Sequence, residues 1–214
     1  MVAVLGNLID ALVHFDKYLG GIVESYGTAT YALLFAIIFL ETGLVITPFL
    51  PGDSLLFAAG AFAGIGSLNV IILLVLLSAA AIIGDAVNYH IGKAIGERLY
   101  KSEQRLIKKE YIDEARVFYE RYGPMAIVLG RFVPIIRTFV PFVAGIGQMR
   151  YSRFLVYNAL GGICWVALFT LGGYYFGGLQ IVKENFGLVA AAIIAISVMP
   201  AVITFIRTRR AACR

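Results

Sequence analysis

Charged residues are scarce in this chain. Only 14% of its 214 residues are Asp, Glu, Lys or Arg, whereas 60% are apolar, and soluble domains carry about 25% charged residues. This composition excludes a disordered chain and argues against a single soluble domain. The length suits roughly four to six membrane-spanning helices of about 20 residues with short connections.

Cysteine and histidine are also too few to build most catalytic or metal sites. Cys164 lies in an apolar run and Cys213 near the C-terminal end, so the sequence offers neither a disulfide framework nor a CxxC motif. His14 and His90 belong to no HExxH motif, and Ser54 has no histidine within local sequence reach. We therefore expect no metal, no cofactor and no enzymatic activity.

Hydrophobic periodicity divides the chain into crossing helices, amphipathic helices and two interrupted segments. Four apolar segments are long enough to cross about 30 Å of hydrocarbon: 28–47, 69–95, 154–176 and 186–206. Amphipathic helices are expected at 3–20, in the membrane interface, and at 97–122, on the cytoplasmic surface, where seven basic and six acidic residues accompany an apolar stripe. We predict that residues 1–214 form one membrane domain.

Segments 48–66 and 124–147 are apolar but are interrupted by helix-breaking residues. The predicted breaks are at Pro48, Pro51, Gly52, Pro134 and Pro141. A short, broken apolar segment is typical of a re-entrant hairpin, which membranes tolerate only when it is buried in protein or lines a cavity. The sequence thus predicts an all-α polytopic bundle with two opposed re-entrant hairpins.

The two interrupted segments resemble each other. Phe49-Leu50-Pro51 precedes Ala59-Gly60, and Phe132-Val133-Pro134 precedes Ala144-Gly145. Paired Pro/Gly-interrupted segments in two halves of a chain indicate an inverted repeat with a binding site at its interface.

The distribution of the basic residues predicts how the chain is oriented in the membrane. Fourteen of the 18 Lys and Arg residues fall on one side, Lys183 alone falls on the other, and three lie in or near the membrane. The positive-inside rule predicts that the side with fourteen basic residues is cytoplasmic, and both termini lie on that side. The net charge of +5 therefore indicates contact with a membrane surface and not with nucleic acid.

Five ionisable residues fall at the expected membrane depth: Glu41, Asp53, Asp85, Arg131 and Arg137. Each costs roughly 2.5 to 3.5 kcal/mol at a helix centre, so the five must be paired or hydrated. One interpretation is a static network of ion pairs that fixes the hairpins. The other is a binding site for an anion.

The arginines favour a phosphate ligand. Arg131 and Arg137 flank the break at Pro134, so both guanidinium groups are expected to converge and bind phosphate or carboxylate oxygens. Glu41 and Asp53 flank the first break and are the candidate proton-coupling residues. A carboxylate that loses its cationic partner in a low-dielectric site takes up a proton.

A polar stripe on the helix at 69–95 is expected to face protein. It consists of Asp85, Asn88, Tyr89, Gly92 and Gly96, at spacings of three and four residues. We expect Asp85 and Tyr89 to support the anion site.

Three blocks of the sequence resemble the signature blocks of the bacterial DedA membrane proteins, whose eukaryotic relatives share the SNARE-associated, or VTT, domain. The blocks are Phe39-Leu40-Glu41-Thr42-Gly43 with Pro48-Phe49-Leu50-Pro51-Gly52-Asp53; Gly84-Asp85 with Tyr89 and Gly92; and Gly130-Arg131-Phe132-Val133-Pro134 with Arg137-Thr138-Phe139-Val140-Pro141 and Ala144-Gly145. The resemblance covers approximately residues 30–175. Lys93 departs from the pattern, since many relatives carry arginine there.

The resemblance implies a lipid translocase of the bacterial cytoplasmic membrane that depends on the proton-motive force. Its substrate would be undecaprenyl (polyprenyl) phosphate or, in some members, phosphatidylethanolamine. Glu41 and Asp53 match the family's essential acids, and Arg131 and Arg137 match its essential arginines.

We therefore expect a proton-linked flippase for an anionic lipid headgroup, with polyprenyl phosphate as the substrate. The alternatives are a passive phospholipid scramblase, a phosphatidylethanolamine translocase, and a non-transporting scaffold. An intramembrane lipid phosphatase is a weaker alternative because no histidine lies near the arginines. The sequence leaves both a monomer and a homo-oligomer open.

Overall fold

The computed structural model describes residues 27–43, 52–101, 109–177 and 179. Some predicted features lie outside these residues: the interfacial helix at 3–20, the crossing helix at 186–206, residues 44–47 of the first crossing helix, and the breaks at Pro48 and Pro51.

The described residues form seven α-helices and no strand. In chain order they are α1 (Ala29–Gly43), α2 (Gly52–Gly64), α3 (Val70–Lys101), α4 (Lys109–Tyr122), α5 (Ala126–Gly130), α6 (Pro134–Ile146) and α7 (Tyr151–Phe176), with a 3₁₀ turn at Gly123–Met125 before α5. Two stretches, Val70–Ala94 of α3 and all of α7, are long and apolar enough to cross a membrane. The prediction of an all-α protein is confirmed for the described residues, and two of its helices are candidate membrane spans.

The first helix boundary that differs from the prediction is the end of α3. The helix runs to Lys101 instead of ending near residue 95, so the charged segment predicted at 97–122 begins inside it. No proline interrupts the backbone here, and the single Gly96 costs an α-helix only about 1 kcal/mol.

The second difference concerns the prolines of the second interrupted segment. Pro134 is the first residue of α6, where its missing N–H costs nothing, but Pro141 lies inside the same helix, which continues to Ile146. The prediction of a break at Pro141 is therefore wrong. The Asn88 side-chain amide donates a 2.7 Å hydrogen bond to the Thr138 carbonyl, in the turn before this proline. Neighbouring helices can satisfy backbone groups near a proline in this way.

The short helices α2 and α6 pack closely on the long helices through glycine. A Cβ atom at Gly60 of α2 would collide with the Thr170 carbonyl of α7, and one at Gly173 of α7 would collide with the Phe57 carbonyl of α2. In the other half, α6 packs on α3, and a Cβ at Gly92 would collide with the Phe142 carbonyl. Each short helix thus packs on the long helix from the other half of the chain, α2 on α7 and α6 on α3.

Polar residues lie between two apolar clusters. One cluster includes Leu34, Leu56 and Leu77, and the other includes Tyr89 and Phe142. Along α3 and α7 the buried polar residues Asp85 and Asn158 fall between these clusters. The outward faces of the long helices are apolar and exposed, which suits contact with lipid.

Candidate functional site

One arginine joins three helices at the centre of the protein. The Nη1 atom of Arg137, on α6, donates to Asp53 Oδ1 of α2 at 2.8 Å, and its Nη2 atom donates to Glu41 Oε1 of α1. Asp53 Oδ1 also accepts a 2.8 Å hydrogen bond from the indole Nε1 of Trp165, on α7. The two donors of the guanidinium fork are therefore committed to different carboxylates.

The close approach of Glu41 to α2 requires a glycine. The Gly52 N–H donates to Glu41 Oε1 at 3.3 Å, and a Cβ on Gly52 would overlap the Glu41 carboxylate. Gly52 therefore does more than begin a helix: it lets the first acid reach the N-terminus of α2.

The second arginine forms a separate cluster. Arg131, in the turn between α5 and α6, donates through Nη2 to Asp85 Oδ2 of α3 and to Asn158 Oδ1 of α7 at 2.5 Å. Asn158 in turn donates to the Ile82 carbonyl at 3.0 Å. A Cβ at Gly161 would lie 3.2 Å from Arg131 Cδ. The small residue on α7 leaves room for the guanidinium.

Four of the five charged residues are buried, and Arg137 is nearly so. Glu41 is 2% exposed, Asp85 3%, Arg131 4% and Asp53 8%, and the Arg137 side chain is 11% exposed. Three carboxylates face two guanidinium groups, so the fully ionised cluster carries one negative charge more than it carries positive charges.

Trp165 lies against both arginines. Its ring centroid is 5.9 Å from Arg131 Cζ and 5.6 Å from Arg137 Cζ, within the range of cation–π attraction. The indole is 1% exposed. It therefore connects the two ion-pair clusters, and its N–H binds one of the acids.

A small cavity lies between the two clusters. Its lining residues are Glu41, Thr42, Asp85, Arg131, Arg137, Thr138 and Trp165. The centre of a water molecule can move through about 10 Å³ of it, which is about the room that one water needs. A phosphate group is larger than this space and would enter only if side chains moved apart.

The structure brings together most of the residues that the sequence singled out. Arg131 and Arg137 converge on one indole and one cavity, but they pair with different acids. Tyr89 is buried but lies outside the charge cluster, because its hydroxyl donates to the Met149 carbonyl and its ring stacks on Phe154. Within the described residues no three His, Cys, Asp or Glu side chains group as metal ligands.

Sequence reasoning missed two residues of the site, Trp165 and Asn158. Trp165 is the only tryptophan of the chain and lies within an apolar helix, whereas tryptophan in membrane proteins is enriched at the interfaces. Asn158 precedes it by seven residues, which is two helical turns, so both side chains lie on one face of α7. The spacing of Asn158 and Trp165 on one face of an apolar helix was therefore the sequence feature that could have indicated the site.

Comparison with known proteins identifies the family of this chain. Residues 50–175 match the VTT domain family. The chain is 50% identical over 210 residues to Protein DedA of Escherichia coli (strain K12), covering 97% of this chain and 96% of that protein. It is 41% identical over 189 residues to an uncharacterized membrane protein of Mycobacterium tuberculosis (strain CDC 1551 / Oshkosh), covering 87% and 83%. It is 33% identical over 186 residues to the inner membrane protein YghB of E. coli (strain K12), covering 86% and 84%. No solved structure matches the chain significantly.

Proposed function

This chain belongs to the DedA family of VTT-domain membrane proteins, and on that premise we propose that it translocates an anionic lipid headgroup in a proton-linked cycle. The proposed substrate is a polyprenyl phosphate such as undecaprenyl phosphate, and the proposed location is the bacterial cytoplasmic membrane. The observation on which the proposal depends is the pair of arginines, each bound to carboxylates around a small cavity.

The chemistry of the arginines suits a phosphate headgroup. A guanidinium presents planar donors that match two oxygens of a phosphate, and charge-assisted hydrogen bonds of this kind are among the strongest in proteins. Carboxylates occupy donors of Arg131 and Arg137. A phosphate that binds through the Arg137 donors therefore displaces Glu41 or Asp53 from them.

Displacement of a carboxylate links lipid binding to a proton. An acid that loses its arginine in a low-dielectric site favours its neutral, protonated form. Glu41 and Asp53 share Arg137, so one of them takes up the proton when the phosphate arrives. By linkage, a proton gradient then biases the direction of lipid movement.

We also propose that α2 and α6 belong to two re-entrant hairpins of an inverted repeat, with the C-terminus in the cytoplasm. The reciprocal packing of α2 on α7 and of α6 on α3 supports this arrangement. A cysteine at Ser54 should label from the outer face and one at Thr138 from the inner face, in a background without other cysteines. Both positions are buried, so labelling should be slow. Labelling of both from the same face would contradict the inverted arrangement.

The function is tested with purified protein in liposomes. The probe is a tail-labelled polyprenyl phosphate, and the matched control is the same labelled chain as the free alcohol. We expect the protein to accelerate translocation of the phosphate and not of the alcohol, and we expect the phosphate lipid to be recovered intact. Equal acceleration of both lipids would indicate a passive scramblase, and release of inorganic phosphate would indicate a phosphatase.

A further inference from the structure

The two acids that share Arg137 have different second partners. Both acids lie at the N-terminus of α2, but only Asp53 also accepts the indole N–H of Trp165, at 2.8 Å. Glu41 has the Gly52 N–H at the longer distance of 3.3 Å. Among the described residues, no donor reaches its buried Oε2 atom.

This asymmetry matters when a phosphate occupies Arg137. Asp53 then retains its short hydrogen bond from Trp165, which holds the carboxylate in place. Glu41 loses its cation and keeps one long hydrogen bond in a site from which water is largely excluded. The environment of Glu41 therefore favours a neutral carboxylic acid, whose hydroxyl group can itself donate a hydrogen bond.

We propose, resting on the proposed function, that Glu41 alone carries the proton and that Trp165 is a positioning residue that holds Asp53 in place. The titratable groups that face Glu41 come from several packed elements: Asp53 on α2, Asp85 on α3, Arg131 between α5 and α6, and Arg137 on α6. Asp85 retains its own partner in Arg131, so the competition for the proton is between Glu41 and Asp53.

The first test measures the gradient response, defined as the translocation rate of the tail-labelled polyprenyl phosphate with an imposed pH gradient relative to the rate without one. Glu41→Gln should abolish the gradient response and leave slow exchange. Asp53→Asn should lower the rate but keep the response. The matched control is Glu120→Gln on α4, where the exposed side chain is 64% accessible, and it should behave as the parent protein does.

A double variant tests the role of Trp165. Trp165→Phe keeps an aromatic face for the arginines but removes the N–H that binds Asp53. In the Glu41→Gln background this change should restore part of the gradient response, because Asp53 then becomes the acid that is stripped of donors. A purely structural role for Trp165 would lower transport further and would restore nothing.

Infrared difference spectroscopy on the unmutated protein avoids the risk that a variant misfolds. Addition of dodecyl phosphate should produce the carbonyl stretch of a protonated carboxyl group. That band should shift when glutamate is labelled with ¹³C in its side-chain carboxyl group, and it should stay in place when aspartate is labelled.

The outcomes separate this inference from the proposed function. Loss of the gradient response in Asp53→Asn but not in Glu41→Gln, or a band that shifts with labelled aspartate, would overturn the assignment of Glu41 while leaving proton-linked transport intact. A double variant with no more response than Glu41→Gln would overturn the role of Trp165. A parent protein without any gradient response would refute the proposed function itself.

Discussion

Replacement of Arg137 by lysine is the sharpest test of how the site recognises its ligand. Arg137 donates to Asp53 and to Glu41 through two different nitrogen atoms of one plane. The ammonium group of lysine is a compact point charge that cannot reproduce this fork. The substitution therefore keeps the charge of the site and removes its paired geometry.

The expected loss follows from the hydrogen bonds involved. A hydrogen bond to a charged group contributes about 1.5 to 3 kcal/mol, and the fork loses one such bond when lysine replaces it. Since about 1.4 kcal/mol corresponds to a factor of ten, Arg137→Lys should raise the lipid concentration for half-maximal transport by about 10- to 100-fold. The loss should appear in binding of the phosphate.

Comparison with alanine separates recognition from folding. Arg137→Ala leaves Glu41 and Asp53 without their shared cation, and removal of one partner from a buried pair costs about 3 to 5 kcal/mol. We expect the alanine variant to be depleted from the membrane and the lysine variant to be present near the parent level. Arg116→Lys, in an exposed ion pair with Glu120, is the matched control and should change neither quantity, because exposed pairs contribute little.

The assay is translocation of labelled polyprenyl phosphate in liposomes, over a range of lipid densities and normalised to the protein incorporated. If Arg137→Lys reached half-maximal transport at the same lipid density as the parent protein, positive charge alone would suffice to bind the phosphate. Paired hydrogen bonds would then play no part in recognition.

Two further predictions concern packing and the second ion pair. Gly173→Ala should lower stability in detergent by about 1 to 3 kcal/mol through overpacking against α2, whereas the adjacent Gly172→Ala, with nothing nearer than 3.9 Å, should be neutral or stabilising in thermal unfolding. Replacement of Asp85 by Leu together with Arg131 by Met should preserve folding, because buried ion pairs can be exchanged for apolar residues at little cost, but it should abolish lipid transport. Full transport by that double variant would make the second pair a static support.

The pairing of the buried charges was predictable, but the choice of partners was not. The cost of five charges at membrane depth already requires that acids and arginines meet. Which acid meets which arginine depends on how α2 and α6 cross α7 and α3, and close contacts at Gly60, Gly92 and Gly173 determine those crossings. Local sequence carries no information on contacts between residues so far apart in the chain.

The two prolines of α6 also show that local sequence does not determine the effect of tertiary contacts. Pro134 and Pro141 produce identical signals in the sequence, yet the first begins α6 and the second lies inside it. The second proline has a tertiary contact nearby, since Asn88 of α3 donates to the Thr138 carbonyl in the turn before it. Trp165 was not predicted as a site residue for a related reason. Its apolar helix indicates packing, and only the fold brings its indole N–H to Asp53.

Proton-linked transport requires that a proton gradient can drive lipid across the membrane. The decisive measurement is the leaflet distribution of labelled polyprenyl phosphate in proteoliposomes at steady state, with an imposed pH gradient and the electrical potential held at zero. Coupling to one proton predicts accumulation in one leaflet that approaches about tenfold per pH unit and reverses when the gradient is reversed. Equal distribution between the leaflets at every gradient would contradict proton-linked transport.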